Sequence, residues 1–267
     1  MSDDKPFDRR LRSLRRDRAA LRFADADYLH HRAADELLDR LDLVKRPFGD
    51  ALELGCADAY LSRRLRARGI KVASADAGFR FAAAAGGVQC DEDRLPFADA
   101  SFDLVVSVGA LDGVNDLPGA LTLIRRALRP DGLFLGAFAG AGSLTRLRAA
   151  MLAADGVLGS ATPRVHPQID VRAAGDLLAR AGFALPVADT DTVDVRFANL
   201  PALIEDLRAM AATNLLVSRS PMPLVRVALA AAIADFTAGA DVDGKTSERF
   251  EIVHLTGWAP SLAARPA

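Results

Sequence analysis

The sequence predicts an α/β protein with a parallel sheet covered by helices on both faces. Three observations carry that prediction. From Asp50 to Phe138, short apolar runs alternate with helical segments, the order that builds parallel strands joined by crossover helices. The first run, Ala51-Leu52-Glu53-Leu54, ends in a small-residue turn, Gly55-Cys56-Ala57-Asp58-Ala59, that opens the next helix. An acid, Asp76, closes the second strand roughly twenty residues beyond that turn, where sheets of this kind place a nucleotide-binding carboxylate.

The elements follow in order. Residues 7–22 form a basic segment whose Leu11, Leu14, Ala19 and Leu21 make a rough helical stripe. It reads either as a solvated helix lying on the core or as a flap over the site or contact for an acidic partner. Tyr28 to Leu43 is a helix with Ala34, Leu37, Leu38 and Leu41 on one face, and 45–50 is a Pro/Gly loop. Strand one is Ala51–Leu54, and the helix Tyr60–Arg68 stops at Gly69. Strand two is Lys71–Ala75, and a short helix spans Phe79–Ala85. Strand three is Val88–Cys90, and strand four is the buried run Ser101–Ser107. A helix covers Leu117–Leu128, with Pro118 in its first turn. In the turn Arg129-Pro130-Asp131-Gly132, Gly132 is expected to supply the left-handed position before strand five, Leu133–Phe138. Helix Leu144–Ala153, loop Gly156–Asp170, helix Val171–Ala181, strand six Val187–Phe197, helices Leu200–Ala212 and Leu224–Phe236, and strand seven Phe250–Trp258 complete the chain.

Composition narrows the classes. A chain of 267 residues with 51% hydrophobic content suits one large α/β domain with insertions. A net charge of −1 gives no argument for a nucleic-acid partner. Cys56 and Cys90 lack CxxC spacing, which points to a reduced cytoplasmic setting without zinc, and the scattered histidines form no facial metal triad. Acids interrupt the basic N-terminus, so neither a secretory nor a transit signal is expected. The apolar run Leu224–Ala240 carries Arg226 and Asp235 and is too broken to span a bilayer.

In a parallel sheet, ligands lie beyond the carboxyl ends of the strands. Gly55, Asp76, Asp91 and the segment after Ser107 should therefore converge on one rim. The turn after strand one leaves backbone N–H groups free at a helix N-terminus, which suits a polar or anionic ligand group. Ala57 and Ala59 stand where glycines are expected, and each penalises a positive φ by about 1–2 kcal/mol. Asp76 suits a ribose diol, with a helix cap or turn as the bland alternative. His166, on a loop beyond strand five, is a possible general base, although an exposed loop histidine is the plainer reading. His30 and His31 flank the second helix, and His254 sits in a strand. Tyr28 and Trp258 are expected in the core rather than at the pocket mouth. Arg208 and Asn214, in the lid region, read as solvated or capping residues at least as readily as substrate contacts.

Taken together, Glu53-Leu54-Gly55-Cys56, Asp76, Asp91 with Leu95-Pro96-Phe97, Ser101-Phe102-Asp103-Leu104-Val105 and Leu128-Arg129-Pro130-Asp131-Gly132 resemble a class I S-adenosylmethionine (SAM)-dependent methyltransferase. Further segments resemble the relatives of respiratory complex I assembly factor five, themselves similar to the malonyl-carrier-protein methyltransferase of the biotin pathway. These are Phe7-Asp8-Arg9, Val114-Asn115-Asp116, Ala212-Thr213-Asn214 and Phe250-Glu251-Ile252-Val253. The resemblance implies a Rossmann-like, mostly parallel seven-stranded sheet whose last strand runs antiparallel between strands five and six. It also implies an N-terminal helical extension over 1–49, and a methyltransferase-like domain over 50–267 with lid helices inserted at about 199–245. It implies SAM as cofactor, held by Glu53, Gly55, Cys56, Ala57, Asp76, Ala77, Asp91, Glu92 and Ser107. Glu53 and Gly55 would shape the methionine end, Asp76 would take the ribose, and Asp91 the adenine amino group. The expected activity is methyl transfer to an unidentified small-molecule or protein acceptor in the bacterial cytoplasm. One alternative is modification, including hydroxylation, or chaperoning of a respiratory complex I subunit. A third is a binding protein that has lost catalysis, motivated by Ala57, Ala59 and the altered loops Asp112-Gly113 and Gly140-Ala141-Gly142. A nicotinamide dehydrogenase is disfavoured, because the Gly-x-Gly-x-x-Gly spacing is missing.

Overall fold

The computed structural model describes residues 5–261, so the outer ends of both expected spans, 1–4 and 262–267, lie outside the described residues. Seven strands form one sheet in the order β3-β2-β1-β4-β5-β7-β6. These are β1 (Asp50–Leu54), β2 (Lys71–Asp76), β3 (Val88–Gln89), β4 (Phe102–Val108), β5 (Leu128–Ala139), β6 (Ala184–Phe197) and β7 (Thr246–Trp258). The first five pair in parallel, while β7 runs antiparallel to both β5 and β6. The expected seven-stranded architecture is thus present, last strand included.

Register explains why the site forms where it does. Leu54 at the end of β1 pairs with Ala75 of β2 on one side and Ser107 of β4 on the other. The residues that follow these three therefore emerge side by side at one rim. The amides of Gly55 and Cys56 both donate to the Ala75 carbonyl, 2.8 and 3.2 Å, closing the turn back onto β2.

Each face of the sheet buries its own core, as side-chain alternation requires. Leu52, Leu54, Val105 and Phe134 meet α5 (Leu117–Ala127) and α7 (Val171–Arg180). Ala51, Leu104, Val106 and Leu135 meet α2 (Tyr28–Asp42) and α3 (Tyr60–Ala67). A third cluster holds α6 (Thr145–Leu158), α8 (Leu200–Ala209) and α9 (Arg226–Ala238) together around Phe236 and Phe250. The helices between β6 and β7 thus form a cap with a core of its own. The N-terminal segment does not stand apart: Ala34, Leu37 and Leu38 of α2 are fully integrated into the sheet's second core.

Several local expectations change. Asp131, not Gly132, takes the left-handed backbone, with φ of 60°. Gly132 is needed for space, since a Cβ there would lie 2.8 Å from the Arg129 carbonyl. α6 continues through Gly156 and stops at Gly159, whose φ is 67°. Neighbouring helices in the cap bury Ala150 and Ala154, and that packing carries the helix past its glycine. Among the described residues no helix is long and apolar enough to cross a membrane.

Candidate functional site

The site is built from two layers, the strand ends and a helix laid across them. That helix is α1 (Arg9–Ala19), capped by Asp8, whose side chain accepts from the Leu11 amide. The expected stripe is only partly buried: Ala19 is buried and Leu11 packs on Phe7, but Leu14 and, beyond the helix, Leu21 are 43% and 68% exposed. The face turned inward is Arg9, Arg12 and Arg16, spaced i, i+3, i+7 along one side. Arg12 and Arg16 are buried.

Their partners are the acids of the rim. Asp76 accepts from Arg16 through both oxygens, each at 2.6 Å, and also from the Gly78 amide at 2.7 Å. Glu92 accepts from Arg12 at 2.6 and 2.8 Å, and the Ala110 carbonyl takes a further Arg12 N–H at 2.9 Å. Arg9 spans Asp91 and Asp93 at 2.8 and 2.5 Å. Burial alone would lower the pKa of Arg12 and Arg16, but Glu92 and Asp76 overcome it and raise both. Both guanidinium groups are therefore fixed cations. A glycine makes room for the helix: a Cβ on Gly78 would come within 2.7 Å of the Arg16 Cβ. The close seat of α1 is thus written into the loop beneath it.

The structure brings Gly55 and Asp76 to one rim through strand register, and Asp91 and Glu92 to it on the loop after β3. Ala57 adjoins them and lines a cavity of about 680 Å³. The cavity starts at Ala57, Gly109 and Ala110 and runs between α1, α6 and α8 towards Met151 and Phe250. Gly55 has φ of 77°, and a Cβ there would strike the Ala110 Cβ at 2.5 Å, so only glycine lets the two loops meet. Ala57 and Ala59 do adopt positive φ, 37° and 61°. Their methyls point to different places. Ala57 packs with Ala19, Phe23 and Phe81, whereas Ala59 packs with Cys56 and Ala85, away from the cavity.

Other expected contacts lie behind the wall. Glu53 is on the α3 face of β1, where it accepts from Ser74 at 3.3 Å, and burial pushes its carboxyl up to about 7. Cys56 is buried against the Phe81 carbonyl, and burial raises its thiol pKa. Ala77 is buried, its carbonyl bonded by Gln89, and Ser107 is fully buried in β4 with an unpartnered hydroxyl. None of these four lines the cavity, and neither do Gly55, Asp76, Asp91 and Glu92, so Ala57 is the one expected cofactor contact in its wall. Strand pleating explains Glu53 and Ser107, whose side chains alternate away from the rim.

Three residues for which the sequence left a plainer reading open do line it. His166 is buried, not an exposed loop histidine: its Nε2 is 4.0 Å from Asp112 and its ring meets Phe7 edge-on. Arg208 and Asn214 also face the cavity. His30 was legible only as a helix flank. It lines the cavity near Gly109, edge-on to Phe23, with both ring nitrogens buried and unpartnered. Burial lowers its pKa to about 4, so it is a neutral imidazole. Tyr28 is partly exposed and donates to Asp206 at 2.9 Å, while Trp258 packs on the second core. Among the described residues, Asp27, His31 and Asp58 place one ligand atom each within 4.8 Å of one another. His31 bonds Asp58 at 3.0 Å and stacks on Tyr60, so the group is held together without an ion.

A methyltransferase-domain family model matches residues 52–136. The mitochondrial arginine-hydroxylase NDUFAF5 of Danio rerio is 32% identical over 273 residues, which span 98% of this chain and 85% of that protein. The chain belongs to the NDUFAF5 family, within the SAM-dependent methyltransferase superfamily. A malonyl-[acyl-carrier protein] O-methyltransferase of Laribacter hongkongensis is 32% identical over 94% of this chain and 88% of its own length. In fold, the chain is similar to the YcgJ protein of Bacillus subtilis, with a TM-score of 0.60 at 14% identity, covering 87% of this chain and all of that one.

The residues fit the superfamily's cofactor in one half. Ala57, Gly109 and Ala110 border open space where the methionine end would lie, while Gly55 is packed against Ala110 behind them. In the adenosyl half the carboxylates are in place, but Arg12 and Arg16 already occupy them.

Proposed function

We propose that the protein is a SAM-dependent methyltransferase that binds its cofactor when α1 withdraws Arg12 and Arg16 from Glu92 and Asp76. The observation that carries this reading is the cavity: it opens at the strand-end turn and continues into the cap, giving one chamber room for cofactor and acceptor. Bound SAM would supply an electrophilic methyl group. The chain's own work is then placement, because methyl transfer gains most of its rate from holding nucleophile and methyl in line. Asp76, freed from Arg16, would accept from the ribose hydroxyls, and Asp91 and Glu92 would face the base. His30, neutral and unpartnered, would accept a hydrogen bond from the acceptor's O–H or N–H and orient its lone pair. With so low a pKa it is suited to orienting rather than to removing a proton outright.

The family supports a second reading. Its mitochondrial members are named arginine hydroxylases, and on that reading the chain modifies or chaperones a respiratory complex I subunit. Incubation of the protein with SAM and a cognate lysate, followed by mass spectrometry, separates the readings. A gain of one methylene supports methyl transfer, a gain of one oxygen supports hydroxylation. Calorimetric titration of SAM into the wild-type chain and an Arg16→Gln variant should show binding strengthened in the variant. No heat from either protein at millimolar cofactor would remove the methyltransferase reading.

A further inference from the structure

The strap formed by residues 6–19, which includes α1, is fastened on two sides. One side belongs to the cap. The Asp8 amide donates to the Leu215 carbonyl and the Val217 amide to the Pro6 carbonyl, both at 2.9 Å. Phe7 and Leu216 therefore oppose each other in a short antiparallel ladder, as a pair flanked by hydrogen bonds rather than joined by them. Both are buried, and with Leu215 and Leu11 they form a small apolar cluster of their own. The Arg15 guanidinium donates to the Asn214 carbonyl, and Arg219 lies 3.7 Å from Asp8 across the same join.

The other side belongs to the sheet. Between β4 and α5, the side-chain amide of Asn115 takes both backbone groups of Phe7. Its Oδ1 accepts from the Phe7 amide at 2.8 Å, and its Nδ2 donates to the Phe7 carbonyl at 3.0 Å. An amide side chain carries the donor and the acceptor this needs, whereas a carboxylate has no hydrogen to donate. The rest of this side is the set of arginine pairs to the rim acids. The two sides differ in what can replace them. Parting the strap from the cap would expose the apolar cluster and free buried backbone groups. Parting it from the sheet breaks side-chain contacts, and a ligand's hydroxyls can take up the carboxylates released.

We infer that α1 does not leave the rim alone: residues 6–19 and 214–217 swing out as one lid, and Asn115 is the positioning residue that latches this lid over Asp76 and Glu92. The inference rests on the reading that α1 withdraws to admit the cofactor. It adds which parts travel together and what holds them shut.

Amide hydrogen exchange on the full chain, followed by NMR without cofactor, reads the two sides separately. The Gly78 amide, bonded to Asp76 beneath Arg16, reports release from the sheet, and the Asp8 and Val217 amides report release from the cap. In Asn115→Ala, Gly78 should exchange about tenfold faster, the scale of losing two neutral hydrogen bonds, while Asp8 and Val217 keep their wild-type rates. The same variant should bind S-adenosylhomocysteine about tenfold more tightly, whereas mere damage to the loop would weaken binding. Asn115→Asp, which keeps the acceptor and loses the donor, should fall between wild type and Asn115→Ala, and it carries the test if the alanine variant folds poorly. Unchanged Gly78 exchange in both variants would overturn the latch. Acceleration of Asp8 and Val217 along with Gly78 would overturn the single lid. A disulfide between Phe7→Cys and Leu216→Cys checks the lid again: the oxidised form should bind S-adenosylhomocysteine as tightly as the reduced form, and loss of binding on oxidation would overturn it. Because the exchange rates are read without cofactor, they stand apart from a failure of SAM to bind. The expected exchange pattern with no S-adenosylhomocysteine heat would remove the methyltransferase reading and leave the lid in place.

Discussion

Replacing Arg16 by glutamine tests the relation between α1 and the cofactor most directly. Arg16 and Asp76 form a bidentate pair at 2.6 Å, with side chains 8% and 0% exposed. Removing one partner of such a pair leaves a buried charge and costs about 3–5 kcal/mol. The Gly78 amide at 2.7 Å and the nearby Arg12 still face the carboxylate, so the lower end applies. At about 2–4 °C per kcal/mol for a chain of this size, the variant's Tm should fall by roughly 6–12 °C. The same change should strengthen S-adenosylhomocysteine binding, because the ribose no longer competes with a guanidinium. If binding in the wild type has to break the pair, that cost of about 3 kcal/mol corresponds to roughly a hundredfold in affinity. Differential scanning fluorimetry with and without the ligand reads both effects at once. The variant should start lower and be shifted further by ligand. A variant that is destabilised but shows no larger ligand shift than wild type would refute the reasoning, since Asp76 would then be a structural acid with no ribose to hold.

Three other outcomes follow from the same geometry. Glu53 should make stability depend on pH. Its folded pKa of about 7 exceeds the 4.5 of a free carboxyl, so its burial costs nothing below pH 4.5 and reaches full cost above pH 7, on the order of 3 kcal/mol. Glu53→Gln should therefore raise Tm at pH 8 and leave it unchanged at pH 4, as thermal scans at the two values would show. Ala59→Gly should relieve the φ of 61° for a net gain of about 0.5–1 kcal/mol in chemical denaturation, without altering cofactor affinity, because Ala59 does not line the cavity. His30→Phe should retain or slightly raise Tm, since it removes two buried unpartnered nitrogens, yet slow turnover of the acceptor; equal turnover would take His30 out of the site.

The parallel half of the sheet was legible because its signals are local: an apolar run, a small-residue turn, an acid at the next strand's end. Gly55 and Asp76 meet because strand register fixes them, and Asp91 and Glu92 join them on the loop after β3, held by Arg9 and Arg12. Glu53 and Ser107 were misplaced because motif position says nothing about pleat direction. α1 was misread for a physical reason. A leucine stripe was sought, whereas the inward face is Arg9, Arg12 and Arg16, and charged residues report a buried face only when their partners, 60–84 positions away, are already known. His30, His166 and Arg208 line the cavity through the packing of α1, α2 and α8, which no local pattern encodes.

The arginine face also changes how the alanines in the turn bear on cofactor binding. Without α1, Asp76, Asp91, Glu92 and Asp93 would crowd one rim as like charges, a poorly stable arrangement. α1 supplies their counter-charges, and its Ala19 and the following Phe23 close over Ala57 as it does so. The methyl of Ala57 therefore packs against the same segment that must leave for a ribose to reach Asp76. Any effect of that methyl on affinity should appear through how firmly α1 sits, more than through the volume it takes from the cavity. Shortening Ala57 to glycine alone should then weaken α1 docking and favour the cofactor modestly, while Arg16→Gln should favour it strongly. The double variant should add little to Arg16→Gln, because both changes act on the same closed state. Independent, fully additive gains in S-adenosylhomocysteine affinity would show instead that Ala57 obstructs the ligand directly.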